Sequence, residues 1–437
     1  MKFMKFGKAL LMSALSAGVI LSVTSCVQSY SVGFLYVTGT VTASTSGKGI
    51  ISGFKIDHNT GKLSNINGLP VSSGGANPVR AVLLNGSRFL YVLNRGVNST
   101  GGSVCTTADP CQNSNITQFA VGGNGILTAQ ETFYTQGINP FRLISDTSGN
   151  YLYVLDHDSP SNAACALALG ASATTCGDIT AFQVNPNTGR LQLVVNAQVT
   201  TASGAALPYF PVPANPIDVT LASASLLTLS GSPATGDSVF PYSYNASNGQ
   251  LSISQNSSQP LNAFHATAII NGGSYIYVLD NEPITVNGTT SPSQILPFTV
   301  SGGALQAQTG GAVADDPTLS NPIVLLVENK GKWVYVANQG NNTDPNNAQS
   351  GIAGYTIDPA SHQLTTQAGE PYGSGAGPQC LVEDPSNQFV YTANFNDSTV
   401  TGRSIDQVSG VLRSLRVASS YTLTGPATWC IVDGRTS

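Results

Sequence analysis

The stretch NPFRLISDTSGNYLYVLD, from Asn139 to Asp156, decides the fold. Alone it reads as a strand, a polar turn and a second strand, because YLYV and its like alternate β-branched, aromatic and polar residues at strand periodicity. The same phrase returns as NPVRAVLLNGSRFLYVLN from Asn77, NPIVLLVENKGKWVYVAN from Asn321 and GPQCLVEDPSNQFVYTAN from Gly377. In each copy the tyrosine follows the proline by thirteen positions: Pro78 to Tyr91, Pro140 to Tyr153, Pro322 to Tyr335, Pro378 to Tyr391. Two copies are weaker, one with Phe264 in the proline place before Tyr277, the other with Leu229 in the tyrosine place after Pro216. FLYVTG at Phe34 is the second half of the phrase, and GPATWCIVDG at Gly425 is the first half.

Between the copies lies a second phrase. GFKIDHNTGKL at Gly53 places Gly61 seven residues after Phe54 and Leu63 nine after it. AFQVNPNTGRL (Phe182, Gly189, Leu191) and PYSYNASNGQL (Tyr242, Gly249, Leu251) repeat those offsets. GYTIDPASHQL has His362 for the glycine and GRSIDQVSGVL has Arg403 for the aromatic residue, while QFAVGGNGIL and PFTVSGGAL carry a shorter turn, which makes seven copies. The turns hold a residue able to take positive φ, the mark of a hairpin. Each unit therefore supplies about four short antiparallel strands, and so small a sheet buries both faces only against copies of itself. The predicted fold class is all-β, a seven-bladed β-propeller over residues 34–437. The N-terminus enters at the second strand of a blade and the C-terminus stops after the first strand of one. The two ends are thus expected to complete one mixed blade and close the ring.

Only 9% of the 437 residues are charged, against roughly a quarter in ordinary globular domains. Residues 1–25 carry Lys2, Lys5 and Lys8 ahead of an apolar run from Ala9 to Val23, the layout of a secretory signal. Val23-Thr24-Ser25-Cys26 resembles a bacterial lipoprotein box, in which the cysteine is lipidated, although that pattern favours leucine where Val23 stands. The resemblance implies a lipid anchor at Cys26, a short tether over 26–33 and a place in the cell envelope, with the outer membrane favoured because Val27 is not aspartate; simple secretion is the alternative. No second apolar run of about 18 residues follows, so membrane contact is expected through the anchor alone. Without the signal, 14 basic and 22 acidic side chains remain. That balance, with no basic patch interleaved with aromatics, argues against nucleic acid as a partner.

Apart from Cys26 there are six cysteines, an even number that suits an oxidising compartment. Cys105 with Cys111, and Cys165 with Cys176, are expected as local staples of two long inserts. Cys380 and Cys430 remain, and the repeat places them on the innermost strands of neighbouring blades, offset by two positions. Six cysteines allow fifteen pairings, so this third bridge depends on the propeller itself. No cysteine or histidine spacing of the metal-binding kind accompanies them, and no metal or cofactor is expected.

With FLYV, VYVAN, GFKIDHNTGKL and GANPVRAVLLNGSRFLYVLN in view, the chain resembles the seven-bladed lactonase family, whose members include 6-phosphogluconolactonase and the carboxymuconate-lactonizing enzyme, and the YVTN-type bacterial surface propellers. The likeness covers everything after residue 33 and belongs to the scaffold. For active members it implies a central-channel site of histidine, arginine and a carboxylate, in phrases like Gly-Pro-Arg-His. The corresponding places here read Val79-Arg80, Phe141-Arg142, Ile217-Asp218, His265-Ala266, Ile323-Val324, Gln379-Cys380 and Ala427-Thr428. None has Arg-His, so no catalytic residue carries over.

What remains is a loose constellation of Arg80, Arg142, Asp218 and His265, each near the start of an expected inner strand and able to share the channel mouth. Equally, the arginines bond to loop carbonyls, Asp218 caps a turn and His265 is satisfied between blades. Asp156-His157-Asp158 opens an insert and reads as a solvated loop rather than a metal site, and Asp315-Asp316 lacks the partners of a calcium loop. GGNG and SGGA are hairpin turns, not phosphate cradles. The favoured expectation is a monomeric, non-catalytic envelope propeller that binds a carbohydrate, lactone or protein; the alternative is a lactone hydrolase of the 6-phosphogluconolactonase type acting on a sugar lactone.

Overall fold

The computed structural model describes residues 30–434 except 42–46, 85, 87, 233–234, 254–257 and 342–348. The signal expected at 1–25 and the lipidation site Cys26 lie outside the described residues. Seven sheets of four or five antiparallel strands form the seven blades. Blade one is the mixed blade: Ser31–Thr40 pairs on one side with Lys48–Asp57 and on the other with Ala427–Asp433. Its first strand starts at Ser31, so the last three residues of the expected tether already belong to the sheet. The other innermost strands are Pro78–Leu84, Ile138–Ser145, Pro216–Ala222, Ala266–Asn271, Pro322–Val327 and Pro378–Glu383. Each touches the next, and Ala427–Asp433 touches both Pro378–Glu383 and Pro78–Leu84, so the ring is closed.

The core lies between blades rather than within them. Among the described residues there is one hydrophobic cluster at each of the seven interfaces. At the closure, Phe389 and Tyr391 of blade seven pack against Leu35 and Phe54 of blade one. The two repeated phrases meet across these interfaces. Five phrase tyrosines donate the hydroxyl hydrogen to the carbonyl of the turn glycine in the next blade, four of them along the chain: Tyr36 to Gly125 (2.8 Å), Tyr91 to Gly189 (2.5 Å), Tyr153 to Gly249 (3.0 Å), Tyr335 to Gly410 (2.6 Å). Tyr391 does the same to Gly61 (2.7 Å), 330 residues away, across the closure. The glycine is required on two counts. At Gly410 φ is +76°, and a Cβ there would stand 2.6 Å from the Trp333 ring of the preceding blade.

Three cystines are present, Cys105–Cys111, Cys165–Cys176 and Cys380–Cys430, and they are compatible with an extracytoplasmic location. The third bridge rests on a one-residue correction. Ala427, not Pro426, occupies the place of Pro78, since it opposes Gly39 as Pro78 opposes Asn94. Cys380 and Cys430 are therefore offset by one position, not two. Alternate residues of a strand face opposite sides, so an odd offset lets cysteines on adjacent inner strands face each other.

Pairing registers correct two further alignments. In blade four Leu227, not Leu229, opposes Thr220 as Tyr91 opposes Val82. In blade five Ala266, not Phe264, opposes Asp280 in the proline register. Both hairpins are two residues shorter than in the strong copies, and a count made from the tyrosine slips by that amount. The blade-three insert also contains a short helix, Asn162–Leu169. Its run of alanine and leucine favours helix, the Ser161 side chain caps it, and Cys165 ties it to Cys176 beside the blade.

Candidate functional site

The channel mouth is built by a device whose two parts recur around the ring. In five blades the residue before the proline takes a left-handed conformation, as Asn77 (φ 50°), Asn139 (59°), Asn215 (53°), Asn321 (57°) and Gly377 (69°) do, and asparagine tolerates that region better than other side chains that carry a Cβ. The register then skips one residue, from Pro78 to Arg80, Pro140 to Arg142, Pro216 to Asp218, and likewise in the other four blades. A bulge of this kind re-aims consecutive side chains, and here it delivers Val79-Arg80 and Phe141-Arg142 to one cavity. The residue after the repeated motif of the second strand joins the lining at the same rim: Arg95 after Asn94, His157 after Asp156 in a strand that runs on to Asp158, Gln339 after Asn338, Phe395 after Asn394.

The cavity measures about 500 Å³. Blades two and three give it a cationic wall of Arg80, Arg95 and Arg142, with the His157 imidazole beside it; blades six and seven add Gln339, Gln379, Phe395 and Asn396. The Arg80 guanidinium lies 4.0 Å over the Trp429 ring and donates Nη1 to the Val79 carbonyl at 2.8 Å. Arg142 donates Nε to Asp218 Oδ1 at 2.9 Å, while the other oxygen of Asp218 accepts from the Ile269 amide at 3.0 Å, so the carboxylate ties blades three, four and five. Arg95 Nε is buried and has no hydrogen-bond partner among the described residues. Burial, then the nearby Arg142 charge, lowers the pKa of both Arg80 and Arg95. Crowded, half-desolvated guanidinium groups favour an anion or a developing negative charge between them.

His157 places Nδ1 3.1 Å from Asp158 Oδ1. Asp158 is itself held by Thr107 Oγ1 and Asn139 Nδ2, each at 2.9 Å. The imidazole is therefore oriented by a carboxylate that has its own anchors. Asp156, one residue earlier, turns inward and is fully buried opposite Asp178.

Of the four residues singled out in the sequence, Arg80, Arg142 and Asp218 come together. His265 does not. It stands one residue before the proline register of blade five, two-thirds exposed, with Nδ1 2.6 Å from Glu282 Oε2. That hydrogen bond raises its pKa above the ordinary histidine range. Asp156-His157-Asp158, read from the sequence as a solvated loop, instead completes the strand Tyr151–Asp158. Arg95 and Phe395 do not figure in the sequence reading. The signal was present, since Arg95, His157 and Phe395 each directly follow the strand motif whose copies end in Asn or Asp. Among the described residues no group of three or more His, Cys, Asp or Glu side chains is placed to hold a metal ion.

Closed seven-bladed propellers with a polar, charged channel mouth form a definite class of β-protein. The family model described as "Lactonase, 7-bladed beta-propeller" matches residues 48–207 and 236–430, and the chain belongs to that family. The unmatched interval contains the shortened hairpin of blade four. Among solved structures the chain is similar to the periplasmic gluconolactonase PpgL of Pseudomonas aeruginosa, at 18% identity and TM-score 0.61 over 92% of this chain and 98% of that one. It is also similar to a provisionally assigned 6-phosphogluconolactonase from Bacteroides fragilis NCTC 9343, at 16% identity and TM-score 0.63 over 92% and 98%. A third is a protein from Lactobacillus plantarum, at 18% identity and TM-score 0.58 over 92% and 99%. Identities this low speak for the fold alone. No curated protein matches the chain.

Proposed function

We propose that this protein hydrolyses a sugar lactone outside the cytoplasm, at the mouth between blades two and three. The observation that carries the reading is a carboxylate-held histidine, His157 on Asp158, sharing a cavity with Arg80, Arg95 and Arg142. His157 Nε2 takes a proton from water as the oxygen adds to the lactone carbonyl carbon. The carbonyl electrons move onto its oxygen, where guanidinium charge stabilises the tetrahedral oxyanion. As the carbonyl reforms, the bond to the ring oxygen breaks and that oxygen takes the proton back from His157. The product acid ionises, and the same arginines hold its carboxylate. Asp218 keeps Arg142 in place throughout.

The expectation of a non-catalytic scaffold weighs the low charge and the long cysteine-bearing inserts of blades two and three together with the missing Arg-His phrase of the inner strand. His157 supplies the histidine from the neighbouring strand, which favours the hydrolase. The test is proton release from glucono-1,5-lactone and related aldonolactones by the purified protein. His157→Ala is expected to lower kcat/KM by about 10² to 10⁴ without altering the melting temperature. Wild-type turnover no faster than the uncatalysed reaction refutes the reading.

The reading includes a lipid anchor at Cys26, supported by the lipoprotein-like Val23-Thr24-Ser25-Cys26. Cys26→Ser is expected to move the full-length protein from the membrane fraction to the soluble one. Equal membrane retention by the variant refutes the anchor.

A further inference from the structure

The cavity is larger and more two-sided than one lactone ring requires. A single sugar lactone has about a dozen heavy atoms and at interior packing density fills roughly 200 Å³, less than half of the ≈ 500 Å³ available. The cationic wall accounts for the reacting end. Apart from Val79 and Phe141 beside the arginines and Thr428 of the closing strand, the remaining lining comes from blades six and seven and is of another kind: three amide side chains, Gln339, Gln379 and Asn396, and one exposed aromatic ring, Phe395.

Phe395 is 41% exposed although it directly follows the fully buried second strand of its blade. Its backbone is fixed, the amide donating to the Gly377 carbonyl at 2.8 Å, so the ring is presented rather than loose. An apolar ring beside amides suits a pyranose. The sugar's C–H face buries against the ring, and its hydroxyls, which both donate and accept, match amides that do the same. A phosphate has neither feature and no use for this wall. Gln339 is pre-oriented, its Oε1 accepting from Asn321 Nδ2 at 2.8 Å, which lowers the entropy cost of contact.

Building on the hydrolase reading, we propose that the substrate is a glycosylated aldonolactone, a disaccharide whose reducing-end residue is the lactone. The lactone lies against Arg80, Arg142 and His157, and the second sugar lies on Phe395 between Gln339 and Asn396. Such a lactone forms by two-electron oxidation at C1 of an oligosaccharide's reducing end, so an oxidation of that class must supply it.

The experiment is calorimetric and does not need turnover. Gluconate, 6-phosphogluconate and lactobionate, a disaccharide aldonate, are titrated into the full-length protein and into Phe395→Ala and Phe395→Tyr. Lactobionate is expected to bind the wild type at least tenfold more tightly than gluconate. That ratio falls to about one in Phe395→Ala and persists in Phe395→Tyr, whose melting temperature checks folding. A wild-type ratio near one, tighter binding of 6-phosphogluconate than of lactobionate, or no binding of any of the three overturns the proposal. If the ratio holds but the matching lactones are not hydrolysed, the disaccharide assignment stands and the hydrolase reading falls.

Discussion

The two ends of the propeller are made by the same strands in the same registers, yet they treat repetition oppositely. At the far end, five interfaces carry one latch, a buried tyrosine hydroxyl on the carbonyl of the next blade's turn glycine. At the mouth, the bulge position holds Arg80, Arg142, Asp218, Ala268, Val324, Cys380 and Trp429, a different side chain in nearly every blade. The physical reason lies in what each end must satisfy. Every blade–blade interface poses the same packing problem, so one solution repeats. A channel mouth serves one ligand, which has no sevenfold symmetry, so repetition there would waste six positions in seven.

The largest effect expected from breaking this division is at the latch. Gly410→Ala puts a Cβ against the Trp333 ring and a side chain at φ +76°. The left-handed conformation costs roughly 1 to 2 kcal/mol and the overpacking about 1 to 3 kcal/mol, so a loss of about 3 kcal/mol is expected in chemical denaturation. Ligand affinity at the mouth should not change, because the turn lies at the opposite end of the strands. A loss below about 0.5 kcal/mol, typical of a neutral surface site, or an altered Kd, would show that the two ends are not separable.

The same contrast explains which features could be read from the chain beforehand. The latch residues are the repeated ones, so the blade number and the mixed closing blade followed from aligning Tyr91 with Tyr153 or Gly61 with Gly189, whereas the two local cystines followed from short spacing within the inserts. The mouth is defined by departures from the repeat, and departures have no internal standard. Arg80, Arg142 and Asp218 were visible only because they share the bulge register. Arg95, His157 and Phe395 sit one residue beyond the repeated motif, where the second strand stops at Asn94 and Asn394 but runs on to Asp158 in blade three. His265 entered the set because the blade-five hairpin is short by two residues, a slip that only the pairing of Ala266 with Asp280 reveals.

A smaller effect sharpens the comparison just beneath the mouth, where blades two and three differ at one register. In blade two Asn94 opposes Asn115 and donates Nδ2 to its Oδ1 at 2.9 Å. In blade three the pair is Asp156 opposite Asp178, both fully buried. Thr180 donates to one oxygen of Asp156, and apart from the facing Asp156 carboxyl the oxygens of Asp178 lack a partner among the described residues. Burial raises Asp156 from 3.8 to about 7, and burial with the Asp156 charge raises Asp178 well above 3.8. The folded chain therefore keeps protons that the unfolded chain has released. By linkage, the stability this pair contributes is greatest at acid pH and falls as pH climbs from about 4 through about 7, at up to ~1.4 kcal/mol per unit for one group. Glu370 and Glu383, each raised to about 7 chiefly by burial, add a slope of the same sign. Asp156→Asn restores the blade-two chemistry, with an amide donor facing Asp178. It is expected to raise stability at pH 8 by about 1 to 2 kcal/mol and to shrink, without abolishing, the loss between pH 5 and pH 8. An unchanged pH slope in the variant would mean that this pair titrates as ordinary aspartates, and that the mouth costs the fold nothing at this register.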